Sequence, residues 1–365
     1  MGISAALGSS ALLPAGLGFR NVIINGDMRV AQRGLSFSFG SGGGNQYFGA
    51  DRWSTVDYTW SAGTNITVAN ETTVVPSGFT NSYKWANGAT PLTFNSGGYQ
   101  AIRQKIEGYS ASSLYGKQCV LSFWVRSSTA GKYSIWFFNN ANTRSLLTTY
   151  VINSANTWEY KTVYIDMASA VTSGVWEKTS STGLGLMFTL GTHSNRTGST
   201  NLDSWGNITA YEYATSDSVN LATIANSTFY LTGVQLEANY QPTPFEQRPY
   251  GVELALCQRY YTKISSSRAA SYAGQGQARG GTAYVLFGAV PLPTTMRISP
   301  ALSTNSISAE PNPGSTYALS NSIAAYSTTT NATFYTTRSS GTWASDLSVL
   351  LIFDSTSYVA ADAEL

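Results

Sequence analysis

Apolar and polar residues alternate along short runs of this chain, and clusters of Gly, Asn and Ser separate one run from the next. Successive side chains of a β-strand point to opposite faces, so a period of two predicts strands with one buried face. The run 119–128 would bury on one face Cys119, Leu121, Phe123 and Val125. The run 183–191 would do the same with Leu184, Leu186, Phe188 and Leu190.

Further runs of this kind raise the number of predicted strands between residues 19 and 245 to about eight or more, which suits a jelly roll of two antiparallel sheets. These runs are 21–32, 102–108, 133–140, 157–167 and 228–238. We therefore predict a jelly-roll β-sandwich over residues 19–248.

One segment, 249–263, has a helical rather than an alternating pattern. Pro249 lies near its start, Glu253 lies in its first turn, and apolar residues recur at helical spacing. Residues 264–365 then become rich in Ser, Thr, Ala and Gly, with strands expected at 282–290 and 346–354. The predicted fold class is all-β: an antiparallel jelly-roll β-sandwich, one short linking helix and a smaller C-terminal β domain.

Few side chains are charged. They form 11% of the chain, the net charge is +2, and no run of Lys or Arg occurs. Binding to nucleic acid needs clustered positive charge, so we expect no nucleic-acid partner. The abundance of Ser, Thr, Asn and Gly is typical of secreted adhesins and virion proteins.

The first eighteen residues are apolar but contain four glycines and Pro14, which interrupt any helix. They also lack the basic region of a secretory signal, so we expect neither a signal peptide nor insertion into a membrane. We interpret 1–18 as an arm that docks into another protein, and the alternative is a frayed terminus. The docking residues would be Ile3, Leu7, Leu12, Leu13 and Leu17.

Most catalytic constellations cannot be built from this composition. There is one histidine, His193, and neither Cys119 nor Cys257 lies in a CxxC motif, so we expect both cysteines as buried free thiols, with a disulfide as the alternative. We predict no catalytic residue and no cofactor. A structural Ca²⁺ held by Asp51, Asn201 or Asp203 is an alternative that no ligand spacing supports.

A polysaccharide hydrolase remains the enzymatic alternative, because it needs only two carboxylates held roughly 5–10 Å apart. No two of the available acids form an evident pair in the sequence. These acids are Asp51, Asp57, Glu107, Asp166, Asp203, Glu237 and Glu246.

Aromatic residues are abundant, with nine Trp and 23 Tyr. Exposed rings stack on the apolar face of sugars, so we predict glycan contacts from three tryptophans expected in loops and two tyrosines of the C-terminal domain. They are Trp60, Trp85, Trp205, Tyr272 and Tyr284. The alternative for strand tryptophans is that they fill the sandwich or seal a subunit interface, and this is the favoured interpretation for Trp124, Trp136, Trp158 and Trp176.

Five charged residues lie close together where the last sandwich strand meets the helix. They are Glu237, Glu246, Arg248, Glu253 and Arg259. Signs alternate along a corner fixed by prolines, which favours ion pairing that holds geometry. We interpret the group as a joint between domains and not as an active site.

Six segments taken in order carry a family resemblance. They are NVIINGDMRVAQRG (21–34), ADRW (50–53), IRQKIEG (102–108), GKQCVLSFWVRSS (116–128), NTWEYKTVYID (156–166) and TFYLTGVQLEANYQPTPFEQRPYGVELALCQRYY (228–261). Together they resemble the carbohydrate-binding-module-like jelly-roll domain of bacteriophage tail-fibre and virion fibre proteins. The resemblance covers about residues 19–262.

The resemblance implies a homotrimeric virion fibre with a sugar-binding-like fold and no common enzymatic activity. Residues 1–18 would anchor the fibre to a baseplate, tail or capsid protein, and residues 264–365 would form an exposed tip. The ligand would be host surface polysaccharide, bound by many weak copies together. The alternatives are a decoration or cement protein without host binding, and a polysaccharide depolymerase.

Overall fold

The computed structural model describes residues 19–40, 44–62, 66–208, 211–265, 271–312, 315–320, 324–325, 327–343, 345–353 and 357–365. The predicted anchoring residues Ile3, Leu7, Leu12, Leu13 and Leu17 lie outside the described residues. In the described part all strand pairs are antiparallel, which follows from the alternating pattern of the runs.

Two sheets form the predicted sandwich. The six-stranded sheet has the order β1 (Ser36–Phe39), β4 (Ile66–Glu71), β5 (Ser82–Ala86), β13 (Thr228–Glu237), β7 (Gln118–Ser127) and β10 (Glu159–Asp166). The seven-stranded sheet has the order β12 (Gly206–Asn207), β9 (Arg144–Ile152), β8 (Gly131–Phe138), β11 (Thr182–Thr192), β6 (Thr93–Glu107), β3 (Ser54–Ala62) and β2 (Gly44–Gln46).

The inner faces of these two sheets form one hydrophobic core, which confirms the predicted faces of 119–128 and 183–191. The rings of Phe123 and Phe188 meet across the core with centroids 5.0 Å apart and planes at 77°. Edge-to-face packing of this kind is a favoured aromatic geometry. Cys119 belongs to the core, and both it and Cys257 are buried free thiols, as expected.

The segment 21–32 is not a strand, contrary to expectation. Asn25 and Met28 have φ angles of 56° and 62°, a left-handed conformation that breaks an extended ladder. Side chains hold the segment instead: the Asn25 amide donates to the carbonyls of Val30 at 2.8 Å and Asp51 at 2.9 Å. Its apolar residues therefore reach the core from an irregular loop.

The linking helix is shorter than predicted. Helix α3 covers Tyr250–Gln258, after the single turns α1 (Gly108–Ala111) and α2 (Met167–Ala170). The expected last residues of the helix form a strand instead, β14 (Tyr261–Ser265), because their backbone pairs with β23 (Tyr358–Asp362). In the described ranges no helix is both long and apolar enough to cross a bilayer.

Two further sheets follow the helix. The three-stranded sheet has the order β14, β23 and β17 (Ala301–Asn305). The seven-stranded C-terminal sheet has the order β19 (Ser315–Ala318), β18 (Ser308–Asn312), β22 (Leu347–Phe353), β15 (Ser271–Ala278), β16 (Tyr284–Pro291), β21 (Asn331–Thr337) and β20 (Ala324–Ala325). Phe334, Trp343 and Leu351 belong to a separate core between these strands.

The five charged residues predicted as a joint do not form one cluster. Arg248 pairs with Glu246 and Glu253, Arg259 pairs with a different acid, and Glu237 forms no ion pair with either arginine. Arg248 is buried and contacts Glu253 at 3.3 Å and Glu246 at 3.9 Å, while it donates to the Ile23 carbonyl at 3.1 Å. Glu237 is not part of this pairing, contrary to expectation, because Thr243 and Gln235 already donate to its carboxylate.

Arg259 pairs with a different acid. Its guanidinium donates to Glu107 through Nη2 at 2.6 Å and Nε at 2.9 Å, and the Tyr260 hydroxyl donates to the same carboxylate at 2.7 Å. Glu107 ends β6, so this bidentate contact ties the end of the helix to the sandwich.

Ion pairs outside the predicted joint connect the chain at and after the end of β23 to the sandwich. Arg33 pairs with Asp362 at 3.0 Å and Glu364 at 3.2 Å, and the buried Arg52 also pairs with Glu364. The Arg52 guanidinium lies 3.5 Å from the centroid of the Tyr260 ring. This face-on contact and the ion pair together compensate a charge removed from water.

We predict that Glu364→Gln destabilises the protein by about 3–5 kcal/mol, because it leaves the buried Arg52 charge without its partner. Thermal unfolding followed by calorimetry measures the change. The control is Asp362→Asn: Asp362 is 46% exposed, and the loss of an exposed pair should change stability by about 1 kcal/mol or less. Equal melting temperatures for Glu364→Gln and the wild type would contradict the stabilising role of this pair.

Candidate functional site

The outer face of the seven-stranded sandwich sheet carries a row of large side chains. Strand pairing sets Tyr58 opposite Tyr99, Arg103 opposite Met187, and Met187 opposite Trp136. Residues that face each other across a ladder point to the same side of a sheet. Because the neighbours Ile102 and Phe188 belong to the core, these side chains must lie on the opposite, outer face.

Five rings form a continuous array on this face, which we call the aromatic array: Tyr58, Tyr99, Tyr213, Trp136 and Phe138. Successive centroids are 6.0, 4.4, 4.9 and 4.5 Å apart. Such spacings lie in the range of favourable aromatic contacts. The array begins with a half-exposed ring at Tyr58 and continues into rings that are largely covered.

The Phe138 end of the array depends on a glycine. Phe138 pairs with Gly185 of β11, and a Cβ atom at Gly185 would lie 2.1 Å from the Phe138 ring. Only the absence of a side chain lets the ring lie against the strand backbone.

Tyr213 reaches the array from a loop. Its carbonyl accepts from the Thr189 hydroxyl at 2.7 Å, and its amide donates to the Arg196 carbonyl at 2.8 Å. The loop is therefore fastened to the outer side of β11, which explains why every residue of this strand is buried although only alternate residues face the core.

A cleft of about 170 Å³ opens beside the array. Trp136, Phe138 and Met187 form its floor, and Tyr99 and Tyr211 flank it. The remaining polar groups at its rim are Arg103, Lys105, Asn140, Asn142 and Thr182. Rings with convergent polar groups are typical of ligand sites.

The cleft is basic. Arg103 and Lys105 form no ion pair in the described part of the chain, and no Asp or Glu there lines the cleft. Arg103 donates from Nη2 to Asn45 at 2.6 Å, whereas its Nε is buried without a hydrogen-bond partner. Arg196 lies near the same end of the site, with its guanidinium carbon 5.4 Å from the Tyr211 ring centroid.

Lys105 has the most perturbed charge of the cleft. Burial and, to a smaller extent, the neighbouring positive charges of Arg103, Arg297 and Arg52 together lower the pKa of its amine to about 8. On the same face, burial raises the pKa of the Tyr99 hydroxyl.

The structure corrects two of the tryptophans predicted to contact glycan. Trp85 lies in strand β5 and not in a loop, and its side chain is completely buried in the core, so it has no face for a ligand. Trp205 is in a loop but only 9% exposed, because it packs edge-on against Trp176 at 5.2 Å.

The other predicted contacts are Trp60, Tyr272 and Tyr284. Trp60 lies in strand β3, contrary to the expected loop, and its side chain lies outside the described residues, as does that of Tyr272 in β15. Tyr284 is half exposed on β16, where its ring meets Tyr335 at 5.9 Å. Trp136, favoured as a core or interface residue, is buried in a smaller hydrophobic cluster on the outer face, where it also lines the cleft.

Sequence reasoning missed most of the cleft. A usable signal existed in β6, where Tyr99, Arg103 and Lys105 occupy one face and the buried Ile102 and Ile106 the other. No local pattern signals Tyr211 and Tyr213, because they come to the site only through the folded loop.

Two other cavities lack either aromatic rings or charged groups. A cavity of about 260 Å³ is lined by hydroxyl, amide and small apolar groups, including Thr192, Ser216 and Asn220, with neither a ring nor a charge. A groove of about 410 Å³ on the outer side of the six-stranded sheet has rings from Trp124 and Tyr160 but no charged residue. The cleft combines rings and charges, so it is the stronger candidate site.

The groups considered for catalysis or metal binding are placed as follows. His193 begins a short 3₁₀ turn, and its Nδ1 lies 2.8 Å from Asn195 Oδ1. In the parts of the chain that the structure describes, no three His, Cys, Asp or Glu side chains cluster as a metal site would require. Asp203 accepts from Thr148 at 2.7 Å and Asp51 accepts from Gln32 at 2.6 Å, so these proposed calcium ligands lie in separate polar contacts.

No protein-family model and no curated protein sequence matches the chain. Solved structures match it at low identity. The enzymatically active domain of bacteriophage CBA120 tailspike protein 4 is 13% identical over 52% of this chain and 19% of its own, with a TM-score of 0.29. The chain thus spans less than two thirds of that protein's length.

Two further structures illustrate the range of the matches. A family 11 carbohydrate-binding module from a cellulosomal cellulase of Clostridium thermocellum is 12% identical over 56% of this chain and 100% of its own, with a TM-score of 0.29. The glycoside hydrolase domain of Endo-D from Streptococcus pneumoniae is 11% identical over 88% of this chain and 44% of its own, with a TM-score of 0.27. The assignment of the fold rests on the sheets of this chain.

We predict that Lys105→Met raises the melting temperature at pH 7, because it removes a partly buried charge that has no partner. The gain should shrink as pH rises from about 8, the pKa in the folded protein, to 10.5, the ordinary value. In that window the folded wild type has lost the proton while the unfolded chain keeps it, so wild-type stability rises with pH. Melting curves across this range measure the effect.

The matched control is Lys117→Met, which changes an exposed lysine and should show no such trend. If Lys105→Met gave a gain independent of pH, the partly buried charge would not be its cause.

Proposed function

We propose that this protein binds glycans through the cleft and does not cleave them there. The observation that carries the proposal is the aromatic array on the outer face of the seven-stranded sandwich sheet, ending beside groups that donate and accept hydrogen bonds. A sugar ring has an apolar face that stacks on an aromatic ring and a rim of hydroxyls that need polar partners. The cleft supplies both, with Tyr211 exposed and Tyr99 partly exposed at its edge.

The size of the cleft suits one sugar unit of a longer chain. Its volume of about 170 Å³ is below the roughly 300–1,000 Å³ of pockets that enclose a whole drug-sized ligand. The rest of a polysaccharide would run along the exposed part of the array toward Tyr58. One such site gives weak binding, and several copies acting together would give firm attachment.

We further propose that the setting is a bacteriophage virion. The support is the sequence resemblance over residues 19–262, which implies a homotrimeric fibre anchored through residues 1–18 and directed at host surface polysaccharide. Half-exposed Tyr160 and Tyr164 on the edge strand β10 supply surface that a neighbouring copy would cover.

Two alternative functions, a depolymerase and a decoration protein, predict different glycan-binding and cleavage behaviour. A depolymerase would need two carboxylates across the bound sugar, and no acid lines the cleft in the described residues, so binding without hydrolysis is favoured at this site. A decoration protein would have no affinity for glycans, and its aromatic array would only stabilise the loop that bears Tyr213.

The test is a glycan array followed by calorimetric titration of the strongest binder. We expect the double variant Tyr99→Ala/Tyr211→Ala to weaken binding about tenfold, since each lost ring contact contributes roughly 0.5–1.5 kcal/mol. The control is Trp124→Ala, which alters the groove on the opposite sheet and should leave affinity unchanged.

Circular dichroism would establish that the variants remain folded. A folded double variant with wild-type affinity would exclude the cleft as the binding site. Release of reducing ends from the bound polysaccharide would favour the depolymerase instead.

A further inference from the structure

The charges of the cleft define its ligand more narrowly than the rings do, and the following inference rests on the proposed glycan binding. Arg103 and Lys105 lie two positions apart on β6 and point to the same face. In the residues that the structure describes, neither side chain meets a carboxylate within 4.0 Å. The positive charges are thus placed on a partly covered surface without a counterion.

Such an arrangement is unfavourable for folding. A cation withdrawn from water needs a paired anion or good acceptors, and Lys105 has none within hydrogen-bond distance in the described part. The buried Nε of Arg103 also lacks a partner. The lowered pKa of Lys105 is a second sign of the same mismatch. The Nε atoms of the buried Arg52 and Arg248 also lack partners, but the guanidinium groups of these residues pair with the carboxylates of Glu364 and Glu253.

An anionic ligand would remove this mismatch. A guanidinium matches a carboxylate or phosphate with two parallel donors, and an ammonium adds a point charge. A neutral hydroxyl can accept from these donors, but it carries no negative charge to balance them. Tyr99 flanks the same cleft and lies four positions before Arg103 on the same face of β6, so a sugar ring stacked there would direct a substituent toward the cations.

We propose that the cleft binds an acidic polysaccharide, with the carboxylate or phosphate substituent of one sugar held between Arg103 and Lys105 and its ring against Tyr99. A nucleic acid shares aromatic and anionic groups, but it is disfavoured by a net charge of +2 and by the absence of any run of Lys or Arg.

The experiment compares pairs of ligands that differ only in charge. The carboxylate probes are galacturonate oligosaccharides with their methyl esters and hyaluronan oligosaccharides with their carboxyl-reduced forms. The phosphate probe is a phosphomannan with its dephosphorylated form. Each is titrated into the full chain, and a thymidine oligonucleotide tests the nucleic-acid alternative.

We expect at least one acidic probe to bind about 10- to 100-fold more tightly than its neutral counterpart, as charge-assisted hydrogen bonds imply. The variant Arg103→Gln/Lys105→Gln should abolish that preference. The control Arg126→Gln/Lys117→Gln removes the same number of charges away from the cleft and should keep the preference. Preference for a uronate or for the phosphomannan distinguishes the two anions.

Each outcome decides between the proposals. Equal or tighter binding of the neutral probes would overturn the acidic inference and leave glycan binding intact. An acidic preference that persists in the Arg103→Gln/Lys105→Gln variant would also overturn it. If the folded wild type bound no saccharide of the panel, both proposals would fail, and preferential binding of the oligonucleotide would replace them.

Discussion

The packing of two sheets against one core is the constraint on which the rest of this structure depends. The contact between Phe123 and Phe188 across the sandwich fixes which residues of β7 and β11 point inward. Because side chains alternate along a strand, the residues next to them must point to the outer face. With Ile135 and Phe137 in the core, Trp136 must lie outside, and with Phe188 inside, so must Met187. The floor of the cleft is a consequence of how the core is filled.

The parts of the fold that depend on this alternation were predictable from sequence. The faces of 119–128 and 183–191 and the all-β class follow from local pattern. The irregular course of 21–32 was not predictable from local pattern, because it depends on residues in the left-handed conformation and on side-chain amide contacts such as those of Asn25. The end of helix α3 depends on pairing with β23, which is distant in sequence.

The candidate site was harder to predict, for a physical reason. Trp85 was expected in a loop, yet it lies on β5 with its ring in the core. Trp136 is buried, as favoured, but on the outer face of its sheet, and local pattern alone does not tell a strand tryptophan's face. The joint residues were recognised as charged neighbours, yet the partner of Arg259 is Glu107, at the far end of β6. The cleft itself requires Tyr213 to meet Tyr99, which only the folded loop brings about.

Arg297 shows how the parts of the molecule are coupled. Its guanidinium donates to the carbonyls of Ala363 at 2.8 Å, Glu364 at 2.8 Å and Ser180 at 2.9 Å. Ser180 lies two residues before the start of β11, the strand that carries Gly185 beneath the Phe138 ring. A mechanical load applied to the C-terminal sheets would therefore reach the strand under the cleft through this side chain, in parallel with the ion pairs that Glu364 and Arg259 form with the sandwich. In a protein that holds its ligand under tension, the resistance to pulling would lie in these three carbonyl contacts as much as in the ligand site.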